Sequence, residues 1–138
     1  RYIINNYQLM IDRLVEEQEK LMNLKIVYSV NTIIPWDALS AEEKINLYRI
    51  FQETFLNIIK YANAKEVVFS IIYENNKLKI SILDDGSGFN VKKASKGIGI
   101  KNMKERATLI KANYSIESEI NKGTSTKIIL DINPNKEF

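Results

Sequence analysis

A cluster of glycines and aspartates near the middle of the chain is the part of the sequence best suited to chemistry. Gly86, Gly88, Gly97 and Gly99 are four of the chain's 5 glycines, and they lie in the stretch LDDGSGFNVKKASKGIGIKNMKERA. Glycine costs conformational entropy on folding, so a cluster indicates tight turns or a backbone that approaches a ligand closely. The last two glycines precede a helix-like run, whose free N–H groups and positive dipole end would suit a phosphate group.

The spacing of these residues excludes three common binding loops. No G-x-x-x-x-G-K-[ST] pattern is present, so this is not a Walker A loop. Asn102 occupies the last glycine position of the dinucleotide fingerprint G-x-G-x-x-G. A calcium loop that began at Asp84 would need Glu where Ser95 stands.

Asp84 is the carboxylate that we expect to face inward. In the predicted strand KLKISILD, Leu78, Ile80 and Ile82 alternate onto one face, and Asp84 shares their parity. A carboxylate aimed at the core needs hydrogen-bond donors, because burying it without them is costly. The simpler interpretation, which this residue taken alone favours, is an Asp that only initiates a turn.

A polar stripe on the strongest predicted helix, residues 41–62, offers complementary groups. Its members, Arg49, Glu53, Asn57 and Lys60, recur at i, i+4, i+8 and i+11 and therefore share one face. A carboxamide oxygen can ligate Mg²⁺ and an ammonium can balance phosphate charge, so the stripe would suit a metal-bound polyphosphate. A solvated stripe on a core helix is the simpler interpretation, and the stripe alone does not decide between them.

The elements that would position these residues alternate between helices and short strands. We predict helices over 1–23, 41–62 and 98–112, and strands over 24–30, 66–74, 77–84, 114–120 and 125–132. Ser40 and Glu43 form a capping-box pattern before the second helix. Asn75–Asn76 and Asn121–Gly123 suit tight turns between adjacent strands. This order predicts an α+β fold, a two-layer sandwich with a mixed, mostly antiparallel sheet and helices on one face.

The first helix allows two interpretations. Its apolar positions follow the three- and four-residue steps of a coiled-coil seam, formed by Ile4, Tyr7, Ile11, Leu14, Gln18 and Leu21. A seam would make a homodimer through this helix, whereas a helix lying on its own domain would bury the same side chains internally. Both interpretations stay open here, and we divide the chain into the helix, 1–23, and a domain, 24–138.

Composition limits the class of protein. With 138 residues and 45% hydrophobic content, the chain is large enough for one core. A net charge of +3 is too mild for the basic face of a nucleic-acid binder, and the absence of cysteine excludes disulfides and thiolate metal sites. No run approaches the ~20 apolar residues of a membrane span, so we expect a cytoplasmic domain. Because the chain begins at Arg1, we interpret it as a piece of a longer protein, with or without a membrane anchor elsewhere.

Four segments together closely resemble the ATP-binding domain of sensor histidine kinases, the fold shared with DNA gyrase, Hsp90 and MutL. They are QETFLNIIKYANA, DDGSG, GIG and GTST, which resemble the N box and three glycine boxes in the right order. The segment between the two glycine pairs resembles a short nucleotide lid, similar to that of nitrate-responsive and lipid-fluidity sensor kinases. The N box also has the QExxxN form that is similar to theirs. The resemblance implies ATP and Mg²⁺ as cofactors.

The resemblance also implies a role for each matching residue. Glu53 would orient or activate the attacking group, Asn57 would hold Mg²⁺ against the triphosphate, and Asp84 would accept the adenine amino group. The other implied ATP contacts are Lys60, Tyr61, Gly86, Gly88, Gly97, Ile98, Gly99, Ile100, Asn102, Met103, Arg106 and Thr124. Tyr61 is a departure, because the subfamily usually has His at that position.

The absence of histidine from the chain is the main departure from the kinase pattern. Such kinases move the γ-phosphoryl group of ATP to a histidine for relay to a response regulator, so we expect the phosphoacceptor helices to lie outside this chain. The first helix would be the end of that hairpin or the link out of it. Two alternatives stay open: a serine kinase of the anti-sigma-factor type, and a nucleotide-binding interaction module without kinase activity.

Overall fold

A computed structural model of the chain describes residues 6–90 and 99–133. Its helical elements are α1 (Asn6–Met22), a 3₁₀ turn (Trp36–Ala38), α2 (Ala41–Asn57), a π-helical turn (Ile58–Ala62) that continues α2, and α3 (Ile100–Leu109). Its strands are β1 (Lys25–Val30), β2 (Glu66–Glu74), β3 (Lys77–Asp84), β4 (Asn113–Glu119) and β5 (Gly123–Asp131). None of the helices within these ranges combines the length and apolar character that a membrane crossing requires.

The strands form one mixed sheet in the order β1-β2-β3-β5-β4. β1 runs parallel to β2, whereas the other three neighbouring pairs are antiparallel. The helices cover the inner face of the sheet, where Phe69 of β2 meets the rings of Phe51 and Phe55 edge to face, at 5.3 and 5.7 Å between ring centroids. The predicted α+β sandwich with a mostly antiparallel sheet is therefore confirmed.

The local signals that predicted the elements are present in the structure. Ser40 Oγ accepts the Glu43 N–H at 3.1 Å and the Glu43 carboxylate accepts the Ser40 N–H at 2.9 Å, which completes the capping box. Asn75 and Asn76 have φ values of 52° and 59°, the left-handed conformation that a two-residue hairpin turn of this type needs. Both signals act within a few residues, which is why the sequence revealed them.

Several predicted boundaries are wrong. The third helix was predicted over 98–112, but α3 ends at Leu109, and Lys111 adopts a left-handed φ of 56° that terminates helical geometry. Residue 98 itself lies outside the described residues. The second helix has the predicted bounds, 41–62, although its geometry changes from α to π after Asn57. The bounds of β2 and β3 are as predicted, whereas those of β1, β4 and β5 differ from the prediction by one or two residues.

The first helix lies on its own domain. Tyr7, Ile11 and Leu14, three of the predicted seam positions, are buried in the core. The Tyr7 ring meets Trp36 edge to face at 5.1 Å, and its hydroxyl donates to the Lys44 carbonyl at 2.7 Å. These contacts occupy the first part of the seam face within the chain, whereas Leu21 is exposed and Ile4 lies outside the described residues. Self-association through this helix stays a prediction.

Candidate functional site

A cavity that opens to solvent lies between α2, α3, the inner face of the sheet and the loop after β3. Six of the predicted ATP-binding residues line it: Asn57, Tyr61, Asp84, Gly88, Met103 and Thr124. The sequence did not point to the other lining residues, which are Thr54, Ile58, Ala62, Ile82, Phe89, Ile116 and Thr126. A mostly apolar lining with a few polar groups is typical of sites that enclose an organic ring and fix its orientation.

The floor of the cavity is built from three neighbouring strands. Asp84 of β3 is paired with Thr124 of β5, and Thr124 is paired with Ser118 of β4. We call these three residues the polar row. The next inward row of the sheet consists of Ile82, Thr126 and Ile116. A polar edge therefore borders an apolar surface, and the register of the sheet sets the distance between them.

Asp84 lies at the cavity with its carboxylate already oriented. The Gly86 N–H donates to its Oδ1 at 2.9 Å, and the backbone N–H of Thr124 also donates to the carboxylate. Burial raises the pKa of this carboxyl and the charge of Asp85 raises it further, while the two N–H donors offset part of the rise. Asp84 thus initiates the turn, as the simpler interpretation held, and it also lines the cavity.

Asp85, the next residue, has a separate and structural role. Its Oδ1 accepts the N–H groups of Lys65 at 2.8 Å and Glu66 at 3.0 Å, which fastens the start of β2. These bonds lower the pKa of the exposed Asp85 carboxyl. The aspartate pair that the sequence presents as one feature therefore divides into a cavity carboxylate and a structural one.

The π-helical turn holds one side of the glycine loop that follows β3. The Ala62 carbonyl accepts the Ser87 N–H at 2.7 Å, and the Tyr61 carbonyl accepts the Ser87 hydroxyl at 3.2 Å. A Cβ at Gly86 would collide with the Ala62 backbone, so this close approach requires glycine. π-Helical turns are frequent at functional sites, and this one joins the N-box segment to the first glycine box.

The β4–β5 turn holds the other side of the glycine loop. The Phe89 N–H donates to Ser118 Oγ at 2.9 Å. Gly88 has a φ of 65°, and a Cβ there would collide with the Glu119 carbonyl. Sequence reasoning missed both Phe89 and Ser118, although Ser118 has the same parity as the inward-facing Ile116 of its strand, a pattern that could have revealed it.

The second glycine pair is described only in part, because Gly97 and Ile98 lie outside the described residues. Gly99 precedes α3 with a φ of 77°. The Glu53 carboxylate lies so close that a Cβ at Gly99 would collide with its Oε1. The N-box glutamate and the start of α3 are therefore direct neighbours.

Several predicted contacts lie outside the lining of this cavity: Lys60, Gly86, Ile100, Asn102 and Arg106. Lys60 and Asn102 are exposed, and Ile100 is fully buried in the core. Arg106 donates through Nη1 to Asn46 Oδ1 at 3.2 Å. Asn46 precedes Asn57 by roughly 16 Å along α2, at about 1.5 Å per residue, so this contact directs Arg106 away from the cavity.

A family comparison names the class of domain to which this fold and its cavity belong. Residues 42–134 match the family described as histidine kinase-, DNA gyrase B-, and HSP90-like ATPase. Because this match covers more than half of the chain, the chain belongs to that ATPase family. The resemblance drawn from the four boxes is thereby confirmed at the level of the family.

Solved structures with the same fold include three histidine kinase domains. The histidine kinase domain of a blue-light activated histidine kinase from Erythrobacter litoralis superposes with a TM-score of 0.76 at 14% identity, over 91% of this chain and 61% of that one. The catalytic domain of histidine kinase ThkA gives 0.71 at 14% identity, over 99% and 97%. The Acinetobacter baumannii histidine kinase AdeS gives 0.68 at 12% identity, over 92% and 64%. Such low identities show the fold alone, and the chain spans about three fifths of the Erythrobacter domain.

Proposed function

We propose that the chain is the ATP-binding catalytic domain of a two-component sensor histidine kinase. It transfers the γ-phosphoryl group of ATP to a histidine outside this chain, for relay to a response regulator. The observation that carries the proposal is the polar row beside a mostly apolar cavity. Membership of the ATPase family and the fold shared with histidine kinase domains support it.

The polar row fits the amino edge of adenine. The Asp84 carboxylate would accept the amino group, with Thr124 supporting the same contact. Two backbone N–H groups hold the carboxylate before any ligand arrives, so its orientation costs little on binding. The apolar side chains of Ile58, Met103 and Ile116 would contact the faces of the ring.

The far side of the cavity fits the phosphates and Mg²⁺. Asn57 lines the cavity, so its carboxamide would hold the ion together with the phosphates themselves. Mg²⁺ supplies charge neutralisation to the triphosphate. Lys60 would balance the remaining charge, N–H groups at Gly99 and the start of α3 would donate to phosphate, and Glu53 would orient or activate the attacking group.

The transfer step requires partners outside this chain, because the chain contains no histidine. The phosphoacceptor helices of the parent kinase would supply the histidine, and the response regulator would be reached through the full-length protein. A cytoplasmic position follows from that relay. Label from γ-labelled ATP on a histidine of those helices would support this function, whereas label on a partner's serine would support the anti-sigma-factor type of kinase.

Calorimetric titration with a non-hydrolysable ATP analogue, with and without Mg²⁺, tests the site itself. We expect the unsubstituted chain to bind the analogue in a Mg²⁺-dependent manner. Asp84→Asn should weaken that binding on the order of 30-fold or more, the value of a charged hydrogen bond. Asp85→Asn is the matched control, because its carboxylate bonds to β2 and lies outside the cavity lining. It should bind like the parent. Absence of binding by the parent would contradict the proposal.

A further inference from the structure

Gly99 leaves a space at the start of α3 that the Glu53 carboxylate occupies. A Cβ on Gly99 would collide with Oε1 of Glu53 and would lie unusually close to its Cδ and Cγ. The first turn of α3 contains no acidic residue, so Glu53 brings a negative charge from α2 to this helix N-terminus. The positive end of the helix dipole favours a carboxylate in that position.

The core holds the backbone on both sides of this contact. Ile100, directly after Gly99, is fully buried, and the Gly99 carbonyl accepts the Met103 N–H at 3.0 Å in the first turn of α3. On the other side, Phe55 of α2 is fully buried two residues after Glu53. The Glu53 side chain, which is only half-buried, is therefore the part of the contact that can move. A side chain at position 99 would turn the carboxylate away rather than displace either helix.

We propose that Gly99 is a positioning residue for the transfer step. The absence of a side chain there keeps the Glu53 carboxylate at the start of α3, where it orients or activates the attacking group. This role is separate from a contact between the Gly99 N–H and phosphate, because it depends on the empty Cβ position and acts through Glu53. The inference rests on the proposed function, in which Glu53 has that part in the transfer.

The backbone conformation of Gly99 is a second reason for glycine at this position. Its φ of 77° lies in the left-handed region, where alanine is strained. Asparagine adopts that region more readily than alanine, yet it carries the same Cβ. If the space for Glu53 matters, Gly99→Ala and Gly99→Asn should both transfer phosphate slowly. If only backbone strain matters, Gly99→Asn should recover the rate.

The test measures the rate of label transfer from γ-labelled ATP to the histidine of the full-length kinase at saturating ATP and Mg²⁺. We expect Gly99→Ala and Gly99→Asn each to lower this rate on the order of 100-fold, the cost of misplacing a catalytic group by about 1 Å. Calorimetry should show nearly unchanged affinity for a non-hydrolysable ATP analogue, because the backbone of α3 stays in place. Asn75→Ala is the matched control, since it also puts alanine in left-handed backbone, at φ 52°, but at the opposite end of β3 from Asp84. It should keep the unsubstituted rate.

A double-mutant cycle with Glu53→Gln shows whether Gly99 acts through Glu53. Glu53→Gln should transfer slowly by itself, and Gly99→Ala in that background should lower the rate no further. Losses that multiply, an unsubstituted rate in Glu53→Gln or Gly99→Ala, or recovery in Gly99→Asn would overturn the inference. If Gly99→Ala does not fold, Gly99→Asn replaces it in the cycle. Failure of the unsubstituted kinase to label a histidine would instead overturn the proposed function, and this inference with it.

Discussion

Two polar clusters on the inner side of the sheet differ in what they leave for a ligand. The first, the α1 cluster of Gln8, Asp12, Tyr28 and Trp36, ties α1 to β1 and to the 3₁₀ turn. The Tyr28 hydroxyl donates to Asp12 Oδ1 at 2.7 Å, and Gln8 Nε2 donates to both of these groups at 2.9 Å. Trp36 Nε1 donates in turn to Gln8 Oε1 at 2.7 Å. The second cluster is the polar row at the cavity.

The difference lies in the balance of donors and acceptors. In the α1 cluster each donor meets an acceptor, and three of the four bonds join different elements, so the cluster fastens α1 to β1 and to the 3₁₀ turn. In the polar row the Asp84 carboxylate accepts the Gly86 N–H, and its other acceptor positions border a mostly apolar cavity. An excess of acceptors beside a cavity, rather than polarity as such, distinguishes a binding edge from a structural network.

The largest expected effect comes from breaking the α1 cluster. Gln8→Leu would remove the acceptor of Trp36 Nε1, and Trp36 is only 2% exposed. Because a buried donor would then be left unsatisfied, we expect the free energy of unfolding to fall by about 1–3 kcal/mol. Nucleotide affinity of the folded chain should not change. Urea unfolding followed by tryptophan fluorescence measures the first quantity and calorimetry the second.

Gln18→Leu on the same helix is the matched control for that prediction. Gln18 Oε1 is buried, and no atom of the described residues bonds to it. The substitution removes an unsatisfied polar atom and keeps a good helix former, so stability should stay the same or rise. Equal losses in Gln8→Leu and Gln18→Leu would show that the α1 cluster is not what fastens the helix.

The polar row should behave in the opposite way when its charge is removed. The pKa of Asp84 is raised, chiefly by burial, so its ionised form destabilises the empty fold once the pH exceeds its folded-state pKa. In Asp84→Asn the carboxamide can still accept the Gly86 N–H without the charge. We expect urea unfolding at pH 7 without nucleotide to give equal stability, or a gain of at most about 1 kcal/mol since the group is still partly exposed. A clear loss of stability would contradict this.

The sequence predicted those features that depend on near neighbours along the chain. The capping box at Ser40, the hairpin turn at Asn75–Asn76 and the inward parity of Asp84 each follow from a few adjacent residues, and the fold class followed from their order. The same locality explains why the glycine boxes could be recognised. Each box is a short segment whose backbone conformation its own residues largely determine.

The sequence did not predict features that depend on contacts between distant segments. Ser118 becomes part of the site only through the register of β4 with β5, and the π-helical turn joins the site through its contacts with Ser87. Arg106 was assigned from its box, but its direction is set by the way α3 packs on α2, which brings it to Asn46. Tertiary packing of this kind leaves no short pattern in the chain.

The smallest expected effect concerns the pH dependence of stability, to which the two adjacent carboxylates contribute with opposite signs. Two backbone N–H donors lower the pKa of Asp85, so the stability that it contributes is present above the unfolded value of 3.8 and is lost as the pH falls through the folded-state value. The raised pKa of Asp84 acts in the opposite direction, because protonation there relieves a buried charge as the pH falls.

Urea unfolding of the parent, Asp85→Asn and Asp84→Asn at several pH values between about 5 and 3 would measure that difference. Relative to the parent, Asp85→Asn should lose stability less steeply on acidification, and Asp84→Asn more steeply. Each change should stay below about 1 kcal/mol, since water screens the exposed Asp85 and reaches part of Asp84. If the slope of the unfolding free energy against pH shifts in the same direction in both variants, the two carboxylates share one environment. The assignment of one to the cavity and the other to β2 would then fail.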